Sequence, residues 1–552
     1  MSFFSSRLPH TLLASALALA AAQALGAPPD AGQIVQEPRA PVNTPSAAAP
    51  ALSIDKPASG AVPEGGPRVK LVGIQLRGNT AFSTDALRAL LADALGRDLS
   101  FAELTRLADR ITKHYRSAGY LVARAYLPAQ QVKDGVLDIA VLEGTLGRVE
   151  LRNTAALNAS ALAPLQQLPV DAPVQEQALE RTLLNLADLP GTTVQSTLRP
   201  GTAVGASDLL VEVSKARALQ GSVDLDNYGS VYTGEYRAGV SLFWNNPLDR
   251  GDQLSLRLQA SDARLHYERL GYQLPLGEQA TRVGAAVSNM YYRLGRDFES
   301  LDSDGTAVIA SLYLRQPLRR SQAANWYGQL QFDAKTLRDT VGSTSTTSRH
   351  DLRNAVLGLN GNWQDAVWGS GSNALAVDFT AGRLTLDADS LAQDAASANS
   401  AGVFAKLGYQ VQRVQALRPG WTLALNVSGQ LADKNLASAE KFSLGGSQGV
   451  RAYPQGEASG DTGWLASVEL RWQAAPSWQL QVFSDAGRVR TNQQPWADAA
   501  NRRGLAGAGL GLAWGTDKTS FTLTAAWPTD RESPQPEPQR SPRVWAQASI
   551  GF

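Results

Sequence analysis

The sequence predicts an all-β transmembrane barrel of 16 antiparallel strands, preceded by two periplasmic α+β domains. Three observations carry this. From about residue 217 onward, sixteen segments alternate apolar and polar residues with a period of two. All 12 Trp lie in that half, from Trp244 to Trp545, often near segment ends. No stretch of the 552 residues reaches the roughly 18 to 20 apolar residues of a membrane helix, so strands must make any crossing.

Composition narrows the function. Only 18% of residues are charged, below the typical figure of about 25%, so fewer groups demand water. Lys+Arg is 51 and Asp+Glu is 50, which gives no basic excess for binding nucleic acid. The absence of Cys excludes disulfides, thiolate metal sites and cysteine nucleophiles.

Residues 1–26 read as a secretory signal peptide. Arg7 supplies the positive start, Leu12 to Ala22 the apolar run, and cleavage falls after Ala24 or Gly26. The run is too short for a membrane anchor. Residues 27–67 contain nine Pro among Ala, Ser and Gly, the composition of an extended linker. Only a short helix near Gln33–Glu37 fits within it.

Residues 68–146 form the first domain. Val69–Leu76 is strand-like and Gly78-Asn79 a turn. Thr84 caps a helix carrying Leu87, Leu90, Leu91 and Leu95. Phe101–Tyr115 is a second helix, apolar at Leu104, Leu107, Ala108 and Ile111, and it ends at Gly119. Strands Val122–Leu127 and Val136–Glu143 complete a β-α-α-β-β order. Residues 147–216 repeat it more weakly: strand Arg148–Arg152, helices Ala159–Leu165 and Gln175–Ala187, strands Thr193–Leu198 and Leu209–Val213.

Residues 217–552 are the barrel. Leu254, Leu256, Leu258 and Ala260 alternate with Gln253, Ser255, Arg257 and Gln259. Trp464, Ala466, Val468, Leu470 and Trp472 alternate with Ser467, Glu469, Arg471 and Gln473. A soluble sandwich also alternates, but sixteen long strands would make an outsized core. The polar set suits a wet lumen, and the Trp residues suit interfacial girdles. A long loop at about 434–460 interrupts the strands.

Apparent catalytic motifs dissolve on inspection. Gly445-Gly446-Ser447-Gln448-Gly449 fits G-x-S-x-G, yet no helix start and no His follow it. The four His, at 10, 114, 266 and 350, are scattered and imply no metal site. Gly507, Gly509 and Gly511 recur every second residue, which describes a smooth strand face and not a dinucleotide loop. No enzyme, cofactor or metal is expected.

Two segments then stand out. The first is Leu444-Gly445-Gly446-Ser447-Gln448-Gly449-Val450-Arg451-Ala452-Tyr453, followed by Gly456-Glu457 and Gly460-Asp461; the second is Phe483-Ser484-Asp485-Ala486-Gly487. With the paired domains and the barrel, they resemble the two-partner secretion transporters. These translocate filamentous haemagglutinins, haemolysins and contact-dependent toxins, within the superfamily of BamA-type assembly proteins. The small domains resemble POTRA domains, through Gly119, Tyr120, Tyr126 and Pro128, then Gly135, and Gly144 after Glu143. Asn246-Pro247-Leu248 and Gly251-Asp252 resemble the family's early barrel hairpin.

The resemblance implies that the long loop folds back into the barrel. Arg451 would then meet Asp485 on the inner wall, with Gly445, Gly446, Val450 and Tyr453 forming the loop motif and Phe483 and Gly487 the wall motif. Parity agrees: Asp485 falls in step with Gln479, Gln481 and Phe483, opposite Leu480 and Val482, and so faces the lumen. Ala452 stands where the family has Gly, which requires a negative φ there.

The implied function is secretion of a large partner exoprotein through an outer-membrane barrel by type V, two-partner secretion. The partner's amino-terminal secretion domain would bind the periplasmic POTRA domains. Outer-membrane lipid would surround the barrel, and the barrel assembly machinery would insert it. The alternative is an outer-membrane assembly factor of the BamA type, which typically has more POTRA domains. A passive porin leaves those domains without a role.

Overall fold

The computed structural model describes residues 28–35, 52–54 and 68–552. The expected signal peptide lies outside the described residues, as does most of the linker.

In the first domain, Gly73–Arg77 pairs in parallel with Val136–Leu142, and Arg124–Tyr126 adds antiparallel to its other side. Leu137, Ile139 and Val141 alternate inward, against the helix Phe101–Ser117. That helix starts in a capping box, with Ser100 and Glu103 satisfying each other's backbone N–H. Ser83, not Thr84, caps the preceding helix, Thr84–Ala89. This helix ends earlier than its Leu spacing suggests, and a 3-10 turn at Ala92–Ala94 follows. Leu95 is therefore 46% exposed and does not join the core.

A buried carboxylate ties this domain together. Glu143 accepts from the Ala81 N–H at 2.7 Å, the Tyr115 hydroxyl at 2.8 Å, and both the N–H and the hydroxyl of Thr80. Burial alone would push its carboxyl up, but these donors outweigh burial and hold it below the usual value. A depressed carboxyl stabilises fully above its unfolded value of about 4.3, and that contribution fades as pH falls through the lowered folded value. Glu143→Gln should cost about 1 to 3 kcal/mol at neutral pH and flatten this acid dependence. Hydrogen exchange at the Thr80 and Ala81 amides of the full-length protein, measured against pH, checks it.

In the second domain, Thr145–Asn153, Ala206–Lys215 and Thr192–Pro200 form a sheet, and Leu52–Ile54 of the linker adds in parallel beside Thr192–Pro200. The helix expected at 159–165 is only a 3-10 turn, Ala163–Gln167, because Pro164 lacks the N–H a longer helix needs. The strand Thr145–Asn153 crosses the boundary expected at 146/147, and Leu146 is buried in the second core. The POTRA-like residues cluster at the joint. The Glu176 N–H donates to Gly119 O at 2.8 Å, and the Val174 N–H donates to Gly144 O at 2.9 Å. Gly144 has φ +75°, and a Cβ there would lie 2.4 Å from Val122 Cγ2. Tyr120 stacks edge-on with Phe82 and Tyr115. Gly135 occupies the turn before Val136, whereas Tyr126 is partly exposed on the edge strand, shortly before Pro128.

The barrel is closed, with sixteen strands each antiparallel to its neighbours. Its first strand, Leu219–Asp226, meets its last, Arg543–Gly551, through five residue pairs. Strands range from 8 residues to the 20 of Thr346–Asp365, longer than the roughly 9 to 11 a bilayer needs, so the tall ones project beyond it. Parity sorts the faces: Phe332 is 52% exposed to the outside, while its neighbours Gln331 and Asp333 bond to each other within. Trp326 stacks on Trp363 and Trp421 on Trp472, at the strand ends beside the short turns. Trp545 departs from the girdle expectation, because it is buried and points into the lumen. The second domain is clamped to the rim. Arg320 donates both Nε and Nη2 to the Asp188 carboxylate, at 2.9 and 2.8 Å.

Candidate gating site in the barrel lumen

The segment 433–461 leaves strand Trp421–Ala432 and returns to strand Thr462–Ala475. It does not extend outward. A two-residue ladder, Phe442–Ser443 with Ser459–Gly460, closes its neck, and the tip folds into the lumen. Leu444, Val450, Ala452 and Tyr453 are all fully buried there. They pack on Leu465, Phe483, Val489, Leu505 and Ala526 of the wall, so apolar burial draws the tip inward.

Within that apolar seat lies the ion pair. Arg451 donates Nε to Asp485 Oδ2 at 2.8 Å and Nη2 to Asp485 Oδ1 at 2.7 Å, a bidentate fork. Its own backbone N–H donates to the same carboxylate at 3.1 Å. Its third nitrogen, Nη1, lies 2.7 Å from Glu469 Oε1, and its guanidinium sits 3.4 Å from the centroid of the Phe483 ring. Ser467 lies directly opposite Asp485 in the strand pairing and donates to it at 2.8 Å. The arginine thus faces two carboxylates and an aromatic face, an arrangement that its planar fork fits and a lysine would not.

The remaining motif residues shape the turn. The Gly445 N–H donates to Glu457 O, the Gly446 N–H to Tyr453 O, and the Val450 N–H to Leu444 O. Gly487 leaves room for Leu444, whose Cδ2 would lie 2.7 Å from a Cβ there. Ala452 has no positive φ, so the substituted position is accommodated. Its methyl faces Gly507, where a Cβ would come within 2.6 Å of it. Gly507 therefore keeps the wall smooth where the loop tip approaches, while Gly509 and Gly511 make room for Phe483 and Gln481 of the neighbouring strand.

Several partners escaped the sequence reading. Glu469 shares the inward parity of Ser467 and could have been found that way. Trp545 donates its indole N–H to Arg451 O at 2.7 Å, which ties the tip to the closing strand. The Tyr453 hydroxyl donates to Asp530 and to Glu532 O in the last extracellular loop. Glu457 pairs with Arg503 at 2.6 Å, and buried Asp461 accepts from the Leu436 and Gln493 amides.

Comparison with known proteins is consistent across sequence and structure. Residues 205–514 match the family described as haemolysin secretion/activation protein ShlB/FhaC/HecB, and residues 69–144 match the ShlB-type POTRA domain. The heme/hemopexin transporter protein HuxB of Haemophilus influenzae is 30% identical, over 76% of this chain and 73% of its own. The outer membrane transporter CdiB of Dickeya dadantii is 24% identical, over 84% and 83%. In structure, CdiB from Escherichia coli superposes with a TM-score of 0.70 at 22% identity, over 90% of this chain and 93% of its own, a likeness of fold.

Proposed function

Because the chain belongs to the haemolysin secretion/activation protein family, we infer that it is the outer-membrane translocator of a two-partner secretion system, exporting a large partner exoprotein through its barrel. The family is one of transporters. The barrel lies in the outer membrane, and the POTRA domains face the periplasm. The observation that carries the reading is the buried Arg451–Asp485–Glu469 constellation, which seats a long loop inside the barrel lumen. Such a loop closes the pore at rest and has to yield for a chain to pass.

Recognition falls to the POTRA domains. Arg124–Tyr126 is an edge strand, with a partly exposed Tyr126, to which an extended segment of the partner's amino-terminal secretion domain can add. On the second domain, the edge of Thr192–Pro200 is already taken by residues 52–54. The short helix Ala31–Ile34 packs against the loop and the wall and serves as a second plug. Surrounding lipid and the assembly machinery complete the set of partners. The assembly-factor reading is less supported, because the family match is to secretion proteins and the described residues hold two such domains. A photo-cross-linker in place of Gln481, on the inward face beneath Asp485, tests transport: in secreting cells it should capture the exoprotein.

A further inference from the structure

A second buried ion cluster holds the same loop at a different stretch of the barrel wall. Glu440, 2% exposed, ends the loop's 3-10 turn Ser438–Glu440. Its Oε1 lies 2.7 Å from Lys335 Nζ and its Oε2 2.7 Å from Lys406 Nζ, while Asn354 Nδ2 donates to Oε1 at 2.9 Å. Its carbonyl oxygen accepts from Lys406 Nζ at 2.9 Å and Gln430 Nε2 at 2.8 Å. These partners sit on four strands, none of which carries Asp485 or Glu469.

The amino-terminal helix rests on this turn. At Gly32 a Cβ would lie 2.2 Å from Ser438 Oγ and 2.6 Å from the Ala439 nitrogen, so only a bare backbone fits. The Ala31 N–H donates to Asp339 Oδ1 at 2.8 Å, and Asp339 follows Lys335 by four residues on the same inward face. Ala31 and Val35 share one apolar cluster with Leu436 and Ala437 of the loop and Leu337 and Leu352 of the wall. The helix therefore has a seat only while the turn stays where Glu440 pins it.

We propose that Glu440 is a positioning residue of the gate: clamped by Lys335 and Lys406, it fixes the seat on which the amino-terminal plug helix docks, so that the plug stays seated only while this turn is clamped, separately from the Arg451–Asp485 lock at the loop tip. This rests on the transport reading, but its test does not use secretion. The chain contains no Cys, so Val35→Cys places a single thiol in the plug. Its labelling by a water-soluble maleimide is followed in full-length protein in outer-membrane vesicles, with heat-modifiable migration verifying a folded barrel. Glu440→Gln should speed labelling at least about tenfold, since the seat opens locally. Gly32→Val, which leaves the carboxylate and lysines intact, should do the same from the plug side. Asp485→Asn, at the loop-tip lock on a strand that carries none of the Glu440 partners, should stay within about twofold of the parent. Parent-like labelling in both Glu440→Gln and Gly32→Val would overturn the proposal. So would an Asp485→Asn increase equal to that of Glu440→Gln. Loss of secretion with unchanged labelling would speak against this coupling alone.

Discussion

Arg451→Ala should abolish or severely reduce export, while the barrel still reaches the outer membrane. The substitution leaves Asp485, whose side chain is wholly buried, and Glu469 without their shared cation. Breaking a buried pair in this way costs roughly 3 to 5 kcal/mol, less where water reaches the site. Against a loop held by local contacts, that is enough to shift its resting position by more than about tenfold in population. The barrel itself is held by sixteen strand pairings that the substitution does not touch. Asp485→Ala should match it, because each side chain is the other's principal partner. Exoprotein in the medium, measured with barrel content and heat-modifiable migration, checks this. Normal export by both variants would remove the loop lock from the mechanism.

Deleting residues 68–144 should eliminate binding of the partner's secretion domain. That span contains the first domain's whole core, from Leu71 to Val141, and its edge strand Arg124–Tyr126. Strand addition requires that edge, and no local repair restores it. The buried residues of the second core, from Leu146 to Val213, and the Asp188–Arg320 clamp to the barrel rim all lie outside the deletion, which removes only the partly buried Leu121 and Val122 from that core, so the remainder should stay folded. The check is a pull-down with the purified secretion domain and detergent-solubilised transporter. Unchanged binding would move recognition to the second domain or the barrel.

Much of this was legible in the residues. Strand parity alone turns Asp485 inward, and the same parity exposes Val482 to lipid. The glycines at 507, 509 and 511 read as a smooth face, and the structure supplies the reasons: the Ala452 methyl at Gly507, Phe483 at Gly509 and Gln481 at Gly511. Other features lay beyond periodicity. Trp545 looked like one more girdle residue, because residue type outweighed the contact it makes with the loop tip. Glu440 sits in a loop with no repeating pattern, and its lysines come from strands far away in sequence. Leu95 kept helical spacing after the helix itself had ended. Local pattern specifies strands and their faces; it does not specify where a long loop comes to rest.

On the proposed function, the partner travels through this lumen. The direct measurement is site-specific photo-cross-linking in secreting cells, with the cross-linker at inward Gln481 and, as a control, at Val482, which is 57% exposed on the lipid face. An adduct between transporter and exoprotein should form at Gln481 and none at Val482. An exoprotein that reaches the medium without any adduct at Gln481, or with one at Val482 alone, would rule out passage through the lumen.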